Sequence, residues 1–249
     1  MKPYFENENV TLYFADCREV VPMLPEVDVI MADPPYGETR LEWDTPMWAW
    51  MYQTPIKKSG SMWCFGSQRM FLDHAAEFSK RWHFAQDIVW EKHNGSNSHK
   101  DRFRRVHELA LHFYEKNTKW EDVYKNPVYT LDAAKRSIKR SGKPQHWGQI
   151  GGGEYSTKLG GKRLMRSVMY ARSCHGYAIH PTQKPLNVVK AILDFSCPLG
   201  GLVFDPMCGA ATTLVAAEAL GMKAIGCDND EAMCEKAANR LAQGVQLEL

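Results

Sequence analysis

The stretch Val27-Asp28-Val29-Ile30-Met31-Ala32 is almost continuously apolar and β-branched, and it stops at Asp33-Pro34-Pro35-Tyr36. Such a run reads as a buried strand, so the chain is expected to build an open α/β sheet with the tetrapeptide at its rim. An ionised Asp33 only accepts hydrogen bonds, each proline removes a donor and fixes φ, and Pro34 biases Asp33 toward extended backbone. The Pro34 carbonyl is then a rigid second acceptor beside the aromatic plate of Tyr36. Two acceptors and a plate suit a planar amino group whose nitrogen is drawn out of conjugation. Standing alone, the four residues are equally well read as a strand stop with Tyr36 packed over it.

A second strand-to-turn passage lies near the other end. Leu202-Val-Phe-Asp-Pro-Met-Cys-Gly-Ala-Ala-Thr-Thr213 runs from an apolar strand through small residues into the helical pattern 214–220. A helix start of this kind offers unpaired N–H groups and the positive end of a dipole, which suits a carboxylate. Lys223-Ala-Ile-Gly-Cys-Asp228 then forms a short strand ending in an acid, the usual position of a ribose ligand. No G-x-G-x-x-G is present, so a dinucleotide site is a weak reading.

The order of these blocks resembles the amino-methyltransferases of DNA, the N6-adenine and N4-cytosine family, in its circularly permuted β class. There a [D/N/S]-P-P-[Y/F/W] block precedes a target-recognition region, and a D-P-F-x-G-S-G-T-T loop for S-adenosylmethionine follows late in the chain. Asp33 to Tyr36 and Asp205 to Thr213 match those blocks, as do His180-Pro181-Thr182-Gln183-Lys184-Pro185 before the loop and Gly226-Cys227-Asp228-Asn229-Asp230 after it. Ala15-Asp16-Cys17 is similar to the family's short acidic block. The resemblance covers most of the chain outside roughly residues 116–175, and four ordered blocks are far more specific than one.

The resemblance implies a three-layer Rossmann-like, S-adenosylmethionine-dependent fold with an inserted recognition lobe. It implies that Asp33 and Pro34 accept from the target amino group while Tyr36 stacks on the base, with Pro35 completing the catalytic block. Asp16 would meet the cofactor adenine, Asp228 and Asn229 its ribose, and Thr182, Lys184 and Thr212 its carboxylate. Asp33, His180, Asp205, Pro206, Cys208, Gly209 and Ala211 complete the expected cofactor shell. The D-P-P-Y form favours adenine N6 over cytosine N4; methylation of RNA and a silent DNA-binding relative are also compatible with these blocks. Double-stranded DNA, a homodimer, and a cognate restriction nuclease or none are the implied partners. The family's second loop glycine is Ala211 here; a φ above zero there costs about 1 kcal/mol, whereas a helical φ removes the difficulty. A working cofactor site is expected.

Composition enters through its distribution. The chain of 249 residues is 44% hydrophobic and carries +2 overall, enough for one substantial core plus an insert. Residues 115–172 hold 13 Lys and Arg against 5 Asp and Glu, a local +8 that leaves the remainder at −6. Interleaved with Trp120, Tyr124, Tyr129, Trp147 and Tyr155, that charge is the expected footprint of a nucleic-acid surface, with glycines 142, 148, 151–153 and 160–161 suggesting long loops. The DNA-contacting candidates are Lys135, Arg136, Lys139 and Arg140 there, and Arg102, Arg104 and Arg105 in the polar loop 94–105. The catalytic half is expected at 1–115, the insert at 116–175 and the cofactor half at 176–249.

Seven scattered cysteines without C-x-x-C pairs read as reduced thiols, and no segment has the length of a membrane span, so a bacterial cytoplasm, with a bacterial or phage gene, is expected. Neither a metal nor a covalent nucleophile is expected; His107, Glu108 and His112 read as the closing residues of a strand near the rim. Strands are expected at 11–15, 27–32, 61–65, 84–91, 109–114, 202–204 and 224–227, the fourth and fifth of them antiparallel. Helices are expected at 68–81, 186–195, 212–220 and 231–242.

Overall fold

The computed structural model describes residues 1–42, 44–95, 100–140, 153–174, 178–180 and 182–244. Residues 96–99 of the polar loop, Gly142, Trp147, Gly148, Gly151, Gly152 and Pro181 lie outside the described residues. The strands are β1 (Phe5–Glu6), β2 (Val10–Phe14), β3 (Val27–Ala32), β4 (Ile56–Gly66), β5 (Trp82–Glu91), β6 (His107–Glu115), β7 (Tyr129–Ala133), β8 (Arg136–Arg140), β9 (Gly153–Thr157), β10 (Gly161–Leu164), β11 (Val168–Tyr170), β12 (Leu202–Asp205) and β13 (Lys223–Asp228). The helices are α1 (Cys17–Val20), α2 (Ala49–Gln53), α3 (Gln68–Asp73), α4 (Ala75–Arg81), α5 (Leu186–Ser196), α6 (Thr212–Ala219) and α7 (Glu231–Gln243).

Two compact units divide the chain, Met1–Asn126 with Ser167–Leu249, and Pro127–Arg166. The larger holds a sheet in the order β1-β2-β13-β12-β3-β4-β6-β5-β11. All seven expected strands are in it, and two short edge strands, β1 and β11, extend it to nine. From β2 through β4 every neighbouring pair is parallel; β6 runs antiparallel to both β4 and β5, as expected for the fourth and fifth predicted strands, and β1 is antiparallel to β2 at the other edge. Every residue of β3 is buried. The acid within it, Asp28, is satisfied by Lys57 Nζ and the Leu202 N–H, both at 2.8 Å, which also ties the start of β12 to β3.

Helices cover both faces. On one, α5 buries Val188, Val189, Ile192 and Leu193, a spacing that follows the helical period, and packs with Leu214 of α6 and Ala237 of α7 over Val29, Met31 and Val203. On the other, Val20, Trp50, Met70 and Phe78 pack against Ile30, Met62 and Phe204. The expected helix 68–81 is two helices broken at His74, and α1 and α2 are short helices that no periodicity signalled. All seven cysteines are free thiols and buried. Among the described residues no helix is long and apolar enough to cross a membrane.

The smaller unit consists of two antiparallel ribbons, β7 with β10 and β8 with β9. Its Arg163 pairs with Asp132 at 2.6 Å, and Lys135, Arg136, Tyr129 and Tyr155 are exposed on it. Trp120 and Tyr124, grouped with the basic insert on charge alone, belong instead to the larger unit. There Trp120 packs against His112 and Tyr114, and the Tyr124 N–H donates to Ser59 O.

Candidate active site

Strand direction decides what meets at the rim. Because β2, β13, β12, β3 and β4 run parallel, Asp16, Asp228, Asp205 and Asp33 all emerge at one edge of the sheet, just beyond or at the last residue of their strands. β12 and β3 are neighbours whose following connections lead to opposite sides, so the crevice above them is the switch point where such sheets bind ligands. Since β6 runs the other way, His107 and Glu108 open that strand at this same edge, not close it as expected, and His112 is buried within it.

The edge opens into a cavity of about 1210 Å³, above the roughly 300–1,000 Å³ of ordinary ligand sites and roomy enough for two ring systems. Asp16, Asp33, Pro34, Pro35, Tyr36, His180, Thr182, Lys184, Asp205, Pro206, Cys208, Gly209, Thr212, Asp228 and Asn229 all line it; Ala211 lies fully buried just behind. Arg102 and Arg105 also line it, paired with Asp101 and Glu38, whereas Arg104 does not. Lys135, Arg136 and Lys139 belong to the smaller unit, as does the backbone of Arg140.

At the Asp33 corner the charges are dense. Tyr36 Oη donates to Asp33 Oδ1 at 2.9 Å, and Lys184 Nζ donates to Asp33 Oδ2. Burial, then the Asp33 and Glu108 charges, push the Tyr36 phenol well above its usual range, so it stays protonated and a donor. Lys184 is buried beneath the rings of Tyr36 and Phe65, with Glu108 Oε2 at 3.6 Å; Glu108 Oε1 takes Lys92 Nζ. Burial pulls the ammonium of Lys184 down, but Asp33 and Glu108 outweigh it and hold the group above the ordinary lysine value. Burial likewise pushes Glu108 up, and Lys184 and Lys92 outweigh that, holding it ionised below the usual carboxylate range. The Pro34 carbonyl receives no hydrogen bond among the described residues.

The second corner is built from backbone. Asp228 Oδ2 accepts from the Gly209 N–H at 2.9 Å and Oδ1 from the Asp230 N–H at 3.0 Å, while burial raises its carboxyl. Asp205 is buried deeper: burial drives it to about 7, against hydrogen bonds from Thr213 and the Met207 N–H. Ala211 takes the left-handed conformation, φ 57 and ψ 29, so the strained alternative is the one adopted. No side chain caps α6, and its first-turn N–H groups sit behind Ala210, Thr212 and Thr213 in the cavity wall. Arg240 of α7 donates to Ala210 O and Thr212 Oγ1, fixing the turn. Asp16 caps α1 and is held low mainly by its bonds to Arg18.

This corner fits an adenosine carrying an amino-acid tail. A Cβ placed on Gly209 would meet nothing nearer than His180 Nδ1 at 4.0 Å, so open space fronts the turn. Asp228 supplies acceptors for a diol, and the uncapped start of α6 supplies donors for a carboxylate. Lys184, expected at that carboxylate, is instead turned to Asp33, and the Thr212 hydroxyl is engaged by Arg240. Lys92 and Arg240 are site residues the sequence did not single out, and Glu108 reads there only as part of a strand near the rim, with no role in the site. Strand alternation puts Glu108 on the face of buried Ala110 and His112, and an acid on a buried face demands a partner.

A family model described as DNA methylase matches residues 27–239. The type II methyltransferase M2.LlaDCHI of Lactococcus lactis subsp. cremoris is 26% identical over 272 residues, covering 98% of this chain and 93% of that one. Among solved structures, PvuII DNA methyltransferase (cytosine-N4-specific) superposes with TM-score 0.68 at 15% identity over 96% of this chain and 88% of its own. The M1.HpyAVI–SAM complex gives TM-score 0.61 at 23% identity over 93% and 99%. The last two likenesses show the fold.

Proposed function

The chain belongs to the DNA methylase family, whose model spans most of it, and from that membership we propose that it methylates the N6 amino group of an adenine rotated out of double-stranded DNA. It is a DNA methyltransferase of the N6-adenine and N4-cytosine family, with S-adenosylmethionine as cofactor. One observation carries amino-group transfer furthest: Asp33-Pro34-Pro35-Tyr36 and the turn at Gly209 leave adjacent parallel strands and open into one cavity; the choice of adenine over cytosine rests on the aspartate that heads the block.

When bound, S-adenosylmethionine supplies an electrophilic methyl group on a sulfonium. Asp228, Asp16 and the uncapped start of α6 hold it against the open face of Gly209. Asp33 and the Pro34 carbonyl accept the two amino N–H bonds and turn the nitrogen lone pair toward the methyl carbon. With the methyl group supplied, Asp33 would stand on the side where the amino nitrogen sheds its surplus proton. Tyr36 stacks on the ring. The base must leave the duplex, because a stacked N6 is out of reach. The Pro127–Arg166 unit, with 9 Lys and Arg against 2 Asp and Glu, is read as a phosphate-contacting surface.

Nucleoside mass spectrometry of duplex DNA and of RNA incubated with the protein and S-adenosylmethionine tests this. N6-methyladenine in DNA is expected. N4-methylcytosine overturns the choice of base, methylated RNA alone overturns the choice of polymer, and no methylation despite cofactor binding identifies a silent relative.

A further inference from the structure

Asp33 carries a puzzle for the function proposed above. The carboxylate that has to receive the target amino group is occupied at both oxygens, by the Tyr36 hydroxyl and the Lys184 ammonium. An ammonium on Oδ2 blocks one approach and drains negative charge from the acceptor that catalysis needs. Close by stands a carboxylate oxygen that lacks what Asp33 has in excess. Glu108 Oε2 is buried and makes no hydrogen bond among the described residues, while its twin Oε1 is held by Lys92. The gap from Lys184 Nζ to Glu108 Oε2 is 3.6 Å, against about 2.7–2.9 Å for a charge-assisted bond, so a shift of about 1 Å completes it. The lysine stem is flexible and its ammonium has three rotatable donors.

We propose that Glu108 is a positioning residue, the waiting acceptor to which Lys184 passes when the base arrives, so that Asp33 is capped in the resting enzyme and uncapped by substrate. Two carboxylates and two ammonium groups make the cluster neutral before and after the exchange, so no net charge is created in a buried place. The assignment rests on Asp33 being the amino-group acceptor, and it adds what releases that acceptor.

Glu108→Gln keeps the size of the side chain but removes the charge that draws Lys184 away. It should lower kcat by about 10- to 100-fold while leaving Kd for S-adenosylmethionine and for DNA within about twofold, and Glu108→Asp should recover part of the loss. Adding Glu108→Gln to Lys184→Met should bring no further loss, because nothing remains to be moved. Lysine NMR gives a readout without turnover: the Lys184 side-chain signal, assigned by its disappearance in Lys184→Arg, should shift when S-adenosylhomocysteine and duplex DNA are added to wild type and stay fixed in Glu108→Gln. Wild-type methylation with an unmoved Lys184 signal, additive losses in the double variant, or cofactor binding lost in step with kcat overturns the exchange alone. Absence of any methylated nucleoside with wild type overturns the function and the exchange together.

Discussion

The two corners of the cavity use acids in opposite ways. At the end of β3, Asp33 shares a crowded patch with Lys184, Glu108 and Lys92, and its partners are side chains. At the ends of β12 and β13, Asp205 and Asp228 have no cation in a salt bridge among the described residues; burial and backbone N–H groups hold them, with the Thr213 hydroxyl added at Asp205. Side-chain partners can be traded within an ångström, whereas backbone partners move only with the fold. The first corner is therefore suited to a group that changes allegiance during turnover, the second to one that holds a ligand still.

That contrast breaks most visibly at Asp33. Asp33→Ala should reduce kcat by at least about 100-fold, the scale of losing a preorganised transition-state partner, with S-adenosylmethionine affinity nearly unchanged by calorimetry. A near-normal rate would remove Asp33 from the chemistry, and an equal loss of cofactor binding would merge the corners. Asp228→Ala should do the converse, weakening S-adenosylmethionine by about 10- to 100-fold through lost charged hydrogen bonds, with kcat at saturation much less affected. Asp228→Asn, which still accepts from Gly209, should fall between; equal losses for both variants would place the effect in the turn and not in the ligand contact.

Asp205 sharpens the second corner through pH. Its carboxyl rises from 3.8 unfolded to about 7 folded. Between those values the folded chain keeps a proton that the unfolded chain has released, so stability declines as pH rises through that window and levels off above it. Asp205→Asn should flatten the decline and melt at least about 3 °C higher than wild type at pH 8, on a scale of about 2–4 °C per kcal/mol. An unchanged slope would mean that Asp205 does not keep its proton through that window and that another group sets the decline. The smallest effect belongs to Ala211→Gly. Relief of about 1 kcal/mol of left-handed strain is nearly cancelled by losing a buried methyl worth about 0.8 kcal/mol, so Tm should stay within about 3 °C. A larger rise would mean that Ala211 strains the turn more than its φ of 57 implies.

Most of the central sheet was legible because β3, β12 and β13 are short apolar runs that end at or just before an acid, and β5 and β6 carry apolar and aromatic residues over strand-length runs. β1 and β11 were not, since two or three residues on an edge carry no periodicity. The break at His74 follows no Gly or Pro, so tertiary packing decides it. Charge located the basic region but not its boundary: residues through Asn126 are tied to the larger unit by bonds such as Tyr124 N–H to Ser59 O and Asn126 N–H to Phe195 O. The motif residues were visible as blocks, yet the pairing of Lys184 with Asp33 and Glu108 joins positions 151 and 76 residues apart, and no local pattern encodes which acid a buried lysine chooses. Ala211 was visible as a departure, but its backbone sign is set by the Ala211 N–H to Cys208 O turn.

The pairing of β12 with β3, and of β13 with β2, has a consequence for biogenesis. While the polypeptide is being synthesised, β2 and β3 emerge early but cannot sit side by side, because the two strands that separate them are encoded about 170 residues later. At about 5–20 residues per second the nascent chain waits on the order of ten seconds or more with the edges of β2 and β3 unpaired. The cofactor corner, built at the ends of β12 and β13, cannot exist during that interval, although β3 can already pair with β4 and β4 with β6. A host making this protein thus meets no half-built enzyme able to bind cofactor, only a precursor whose facing β2 and β3 edges stay open to misplaced pairing until the last strands arrive.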